Sequence, residues 1–419
     1  MAGARIALLN VKFSPNLGDG LLSECLEREL ARALPGADVL AIDLAGRRDY
    51  RGHGPSRRGA AIALLQRLPR WARRHAVRGA LTLLVRFRLR RHVRERLAGV
   101  DAVVVGGGNL LTDSDLNFPM KLSGALAEAA RLRLPVAVHA VGANRRWSPT
   151  GHRLFARALA GSRLVAASVR DARSQAAWRN LLEPAGIMPA ALAGDPGLLA
   201  RHHYPVPPRT PRQGPALIAL CITAPLAVRY HASGSAPGTD LMQWYGDAVI
   251  ALAAAGHGLA LFTNGSPEDR AFLSNHRTRW QAMAPGLEVA AAFSTPAELA
   301  GFIAGADLVI AHRMHACIAA HAFGIPAIGL KWDVKLDSFF ALAGRDAFIA
   351  DCADLPPDAL IALAARALQT GVDRERLERL IAQTRADVAI LAERIAKALD
   401  RPRVAAAGAR PSMPRPMPS

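Results

Sequence analysis

Short, uninterrupted apolar runs alternate along this chain with longer stretches whose apolar positions recur every three or four residues. The first pattern predicts buried strands and the second amphipathic helices. Runs at 6–9, 39–43, 101–105, 135–141 and 164–169 predict five strands, with a helix over 21–33 between the first two. A second series starts at 216–222 and continues at 259–263, 308–310 and 327–330, followed by helices from about 357 to 399. Strands separated by helices argue for parallel α/β layers. Residues 201–215 (RHHYPVPPRTPRQGP) are rich in proline and lack an apolar period, so they predict a linker between an N-terminal unit, 1–200, and a C-terminal unit, 216–400. Residues 401–419, rich in Pro, Arg and Ala, predict a disordered tail.

The polar residues that interrupt the pattern gather at predicted strand ends. Asn16-Leu17-Gly18-Asp19-Gly20 follows the first strand, where glycine lets backbone N–H groups approach a ligand and the next helix start favours an anion or hydroxyls. Asp19 reads equally as the N-cap of a helix starting near Leu21 or as a carboxylate that takes a proton from a sugar hydroxyl. The third strand ends in Gly106-Gly107-Gly108-Asn109 and the fourth in Gly142-Ala143-Asn144. Such loops at successive strand ends line one edge of a sheet, where open α/β sheets hold ligands. None has the dinucleotide GxGxxG spacing, so no NAD site is expected.

Cations occupy the next strand ends. Ser168-Val169-Arg170-Asp171-Ala172-Arg173-Ser174 places Arg170 either in a buried pair with Asp171 or as a fork on a carboxylate or phosphate. Asp195-Pro196 reads as a structural turn. His312-Arg313-Met314-His315 follows a strand and opens a helix, and Gly324-Ile325-Pro326 and Lys331-Trp332-Asp333-Val334-Lys335 follow. Cations converging there imply an anionic ligand carrying phosphate or carboxylate. Lys335 either pairs at the surface with Asp333 or reaches that ligand. His312 is expected in the core and His321 on a helix face without a role. No carboxylate completes a metal set with His312 and His315, so no metal is expected.

Composition changes the picture in three places. The net charge is +19, almost all from arginine; lysine occurs only at 12, 121, 331, 335 and 397, so two of five fall in the cationic motif. Residues 47–98 hold sixteen arginines against Asp49 and Glu95, and read either as a basic amphipathic insert on anionic lipid or as a solvated helical pair. No helix-turn-helix, zinc-finger or RNA-binding signature accompanies this charge, which argues against nucleic acid. The four cysteines are scattered, which fits a reducing compartment. The N-terminal apolar run is too short for a signal peptide, and no run is long enough to span a bilayer. The expected location is therefore cytoplasmic, with peripheral contact at the inner face of the cell membrane if the insert binds lipid.

Taken in order, these motifs resemble those of the polysaccharide pyruvyl transferase family. The resemblance rests on Asn16 to Asp19, the GGGN turn, Val141 to Asn144, Val169 to Ser174, Gly194-Asp195-Pro196, Arg313 to Ile318, and Gly324-Ile325-Pro326 with Trp332 to Lys335. The ordered set is specific, although no single motif is. Trp332 stands where tyrosine is expected, and 47–98 maps onto no family motif. The resemblance implies two Rossmann-like domains facing a central cleft, as in glycosyltransferase-B-like enzymes. It implies phosphoenolpyruvate as co-substrate with no other cofactor, and a sugar diol, lipid-linked or on a cell-surface glycan, as acceptor. By this resemblance Arg170 grips the donor, His315 is an acid or a phosphate ligand and Lys335 binds phosphate or carboxylate, while Asp19 is the acceptor-side candidate. Asn16, Gly18, Gly107, Gly108, Asn109, Gly142, Asn144 and Arg313 complete the expected substrate site, with Arg313 as a second anion ligand or a loop support. Two other readings compete: a nucleotide-sugar-dependent glycosyltransferase of the same architecture, and a non-catalytic, membrane-associated glycan-assembly protein.

Overall fold

The computed structural model describes residues 3–50, 78–206, 214–225, 240–332 and 334–400. The expected disordered tail, residues 51–77 of the expected insert, residues 207–213 of the linker and Asp333 lie outside them. Two parallel sheets organise the chain. The first contains β1 (Arg5–Asn10), β2 (Asp38–Asp43), β3 (Ala102–Gly106), β4 (Pro135–Val141), β5 (Arg163–Val169) and β6 (Ala191–Leu192), in the order β2-β1-β3-β4-β5-β6. The second contains β7 (Leu217–Cys221), β8 (Gly258–Phe262), β9 (Glu288–Val289), β10 (Leu308–Ala311), β11 (Ala327–Leu330) and β12 (Ile349–Ala350), in the order β12-β11-β10-β7-β8-β9. These are two Rossmann-like domains facing a central cleft. Their central strands are buried on both faces, which is why Val103, Val104 and Val105 form a continuous apolar run instead of an alternating one.

Each sheet reverses its strand order once, between β1 and β3 and between β7 and β10. Crevices open at the carboxyl ends of strands flanking such a reversal. The loops after β1, β3, β4 and β5, and those after β8, β10 and β11, carry the unusual polar residues. Helix α1 (Leu17–Ala33) begins four positions before the expected start. Asp19 is therefore no N-cap. It lies in the first helical turn, where the helix dipole favours a carboxylate.

The basic segment before β3 is partly core. A π-helical turn (Leu84–Leu89) runs into α2 (Arg90–Arg96), and together they bury Val85, Leu89 and Val93 against α3 (Asn117–Arg131). A parallel sheet needs a crossover between β2 and β3, and this stretch supplies it. Its arginines are organised by Glu128 on α3, whose side chain is fully buried. Arg94 Nε donates to it at 2.9 Å and Arg90 Nε at 2.8 Å, and Arg131 Nε stands 3.3 Å away. The hydrogen bond from Arg94 leads in holding the Glu128 carboxyl down at about 2, against the desolvation that would raise it.

The last helix, α4 (Arg374–Asp400), follows the C-terminal sheet in sequence but packs on the N-terminal one. Val388, Leu391, Ala392 and Ile395 share a core with Ile6, Leu8, Leu26 and Val104. Gly194 N–H donates to Asp387 Oδ2 at 2.8 Å, which fixes the Gly194-Asp195-Pro196 turn against this helix.

Candidate active site

The start of α1 meets the C-terminal domain directly. Leu17 N–H donates to the Asn264 carbonyl at 2.7 Å. A Cβ on Gly18 would stand 2.7 Å from His315 Cβ and 3.2 Å from Asn264 Nδ2, so only glycine permits this approach. Asp19 Oδ1 lies 3.5 Å from His315 Nδ1. His315 itself sits in the first turn of the helix Met314–Ala322, immediately after β10, with its side chain 11% exposed.

The glycine loops form the opposite wall. Gly107 and Gly108 have φ of +72° and +77°, conformations in which glycine carries little strain. The turn is tied to the next loop, with Gly142 N–H donating to Gly108 O at 2.8 Å and Asn144 N–H to Leu111 O at 2.9 Å. Asn144 Nδ2 donates to Thr112 Oγ1 at 2.8 Å, a bond that shapes the wall. With its amide oxygen toward Lys335, Asn109 accepts from Nζ at 2.8 Å and donates to Gly142 O at 3.3 Å. Lys335, from the first turn of Val334–Leu342, therefore reaches across from the C-terminal domain to the GGGN loop.

Arg170 lies between these walls. Its guanidinium covers Gly142, where a Cβ would stand 2.8 Å from Nη2. Nε reaches Asp171 Oδ2 at 3.4 Å, and Nη1 is 3.5 Å from Asp195 Oδ2. Asp171 also caps the following helix through Ser174 N–H at 2.7 Å, so pairing and capping coexist in one residue. Asp195 accepts from Gly197 N–H through Oδ1 at 2.9 Å, the turn that was expected, while its second oxygen faces Arg170.

Among the described residues, a set of buried polar atoms here has no hydrogen-bond partner: Arg170 Nη1 and Nη2, His315 Nε2, Asn264 Nδ2, Asp195 Oδ2, His139 Nε2 and Asn16 Oδ1. Native interiors rarely leave such groups without a hydrogen bond, which makes this crevice the candidate site. Burial depresses the His315 pKa. Asp195 and Asp19 oppose that shift, while Arg170 and Lys335 reinforce it. All four charged groups thus act electrostatically on His315.

Sequence reading missed three of these residues. His139 lies where β4 bulges against β5, beside Ala140 at φ +49°, with Nδ1 3.1 Å from Ser168 Oγ. Burial lowers its pKa to about 4, leaving a neutral imidazole. Nothing in an apolar strand run marks that bulge. Asn264 lies in the loop after β8, and Asp195 was read as a turn.

Arg313 does not join the cluster. Nε donates to the buried Asp269 at 2.9 Å, Nη2 lies 3.3 Å from Ser266 Oγ, and the guanidinium stacks 5.2 Å from the Trp332 ring centre. The geometry gives Arg313 the loop-supporting role. His312 contacts Tyr245 Oη at 3.0 Å and Cys352 Sγ at 3.5 Å, and burial first, then Arg313, takes its pKa to about 3. His321 is buried against Phe339 and away from the crevice. No group of three His, Cys, Asp or Glu side chains among the described residues is arranged to hold a metal ion.

Two Rossmann-like domains facing a central crevice define a glycosyltransferase-B-like architecture. Residues 16–334 match the polysaccharide pyruvyl transferase family, and the chain belongs to that family. No curated protein matches it in sequence. Its fold is similar to that of a putative UDP-N-acetylglucosamine 2-epimerase from Listeria monocytogenes, with a TM-score of 0.56, 13% identity, and coverage of 95% of this chain and 96% of that one. A UDP-N-acetylglucosamine 2-epimerase gives 0.54 at 12% identity, covering 95% and 96%. The UDP-GlcNAc 2-epimerase from Methanocaldococcus jannaschii gives 0.51 at 10% identity, covering 87% and 92%. Identities this low concern the fold alone.

Proposed function

We propose that this transferase moves the enolpyruvyl group of phosphoenolpyruvate onto two hydroxyls of a sugar in a bacterial glycan, forming a cyclic pyruvate ketal. The observation that carries this reading is the set of buried nitrogens on Arg170, His315 and Asn264 that lack a hydrogen-bond partner, with Lys335 alongside. A small ligand bearing both a carboxylate and a phosphate satisfies several such donors at once. Protonation of the enol CH2 makes the adjacent carbon electrophilic. One sugar hydroxyl adds there, the carbon–oxygen bond to phosphate breaks, and the second hydroxyl closes the ring. The hydroxyl protons balance the proton consumed and the one carried off by phosphate.

In this reading Arg170 and Lys335 clamp the donor, and His315 delivers the proton. Burial keeps His315 neutral without a ligand, and a donor's negative charge beside it favours the imidazolium. Asp19 accepts a proton from the attacking hydroxyl. Phosphate release is the test: incubation with phosphoenolpyruvate and candidate glycans is expected to liberate phosphate and yield a ketal-bearing product. Release of a nucleotide from a nucleotide sugar, with phosphoenolpyruvate inert, would assign the chain instead to glycosyl transfer.

The surface supports an acceptor held near lipid. No helix among the described residues is long and apolar enough to cross a membrane. Leu83 and Phe87, one helical turn apart, are 59% and 66% exposed and are flanked by Arg86, Arg88 and Arg91. Apolar side chains set among arginines suit the face of an anionic bilayer. Sedimentation with anionic vesicles is expected, and its absence would remove the membrane from the proposal.

A further inference from the structure

A second basic site opens at the carboxyl end of β2, outside the crevice. A cavity of about 220 Å³ is lined there by Phe13, Arg47, Arg48, His92, Glu95 and Arg96. Its acids are already engaged. Glu95 accepts from Arg91 Nε at 2.8 Å, and Asp43 beneath the site accepts backbone N–H groups from Phe13 at 3.0 Å and Ala45 at 2.7 Å. Its cations keep spare donors: Arg47 Nη1 forms a 3.6 Å ion pair with Asp43 but is buried without a hydrogen-bond partner, and Arg48, whose charge acts on Glu95, makes no hydrogen bond among the described residues. Arg96 uses one nitrogen, Nη2, on the Ala41 carbonyl at 3.3 Å. His92 is buried, and desolvation, then Arg48 and Arg96, depress its pKa, so the neighbouring cations lie close enough to act on it.

We infer that this cavity binds a diphosphate group, gripped by the arginine forks and the His92 ring. Phe13 belongs to the loop between β1 and α1, which also carries Asn16 and leads into the first turn of α1, where Asp19 lies. A diphosphate held beside Phe13 therefore anchors a sugar toward the acceptor side of the crevice. This last step rests on the proposed transferase reading, whereas the binding site itself does not.

Calorimetric titration with inorganic pyrophosphate tests the site. An Arg170→Ala/Lys335→Ala variant, with the crevice disabled, is expected to keep one binding event. Arg48→Ala/Arg96→Ala is expected to weaken that event by about ten-fold or more, with thermal unfolding unchanged because both side chains are exposed. Undiminished binding in Arg48→Ala/Arg96→Ala, or loss of all binding in the crevice variant, would overturn the proposal. A second arm identifies the source of the group. In Arg48→Ala/Arg96→Ala the KM for a sugar diphosphate acceptor should rise about ten-fold while those for the free sugar and for phosphoenolpyruvate stay put. Equal KM values for both acceptors in wild type and variant would overturn the acceptor assignment.

Discussion

His315 is surrounded by charges of both signs, so its proton affinity depends on which neighbours remain. His315→Ala is expected to lower turnover by about 10²- to 10⁴-fold, the range typical of a lost general acid, with circular dichroism unchanged. Asp195→Asn tests a finer point. Asp195 raises the His315 pKa against burial, so its loss should let that pKa fall further. Turnover that needs the imidazolium then declines at lower pH, and the alkaline limb of the kcat–pH profile moves down. An unmoved profile would reduce Asp195 to its turn bond with Gly197. Arg170, His315 and Lys335 were legible in the sequence because charged residues in apolar surroundings stand out. Asp195, His139 and Asn264 were not, since their chemistry comes from burial beside residues distant in sequence.

At the scale of elements, buried Glu128 gathers α2 onto α3. Its carboxyl is depressed to about 2 from an ordinary 4.5, so the stability it contributes is present above the unfolded value and is lost as pH falls from about 4.5 toward 2. Glu128→Gln should cost about 1 to 3 kcal/mol at pH 7, a range discounted because the arginine partners are half-exposed. Urea unfolding at pH 7 and pH 3 checks this, and the wild-type advantage should shrink at the lower pH. Apolar period located most strands to within a residue or two. It placed the start of α1 late because Gly18 and Gly20 look like loop residues, although their small size is what lets the helix press against His315 and Tyr50. It read the arginines near residue 90 as an insert because the buried acid that organises them lies on another helix.

For the whole molecule, function depends on how closely the two domains approach. Gly18→Ala puts a methyl group 2.7 Å from His315 Cβ, an overlap that no side-chain rotation relieves. The expected result is a destabilisation of about 1 to 3 kcal/mol with a larger proportional loss of turnover. Retained activity at wild-type stability would show that the contact between α1 and His315 is dispensable. The last helix adds a second tie, since Leu391 and Ile395 bury against the N-terminal sheet while the chain before them belongs to the other domain. The sequence by itself determined two parallel α/β layers, the loops at their strand ends and the cations those loops present, because periodicity and backbone chemistry are local. Only the tertiary structure decided that Asp19 faces His315, that Lys335 reaches Asn109, that Arg313 turns away to Asp269 and that the final helix returns to the first sheet. Those outcomes depend on burial and on the pairing of charges between segments far apart in the chain, which no local pattern encodes.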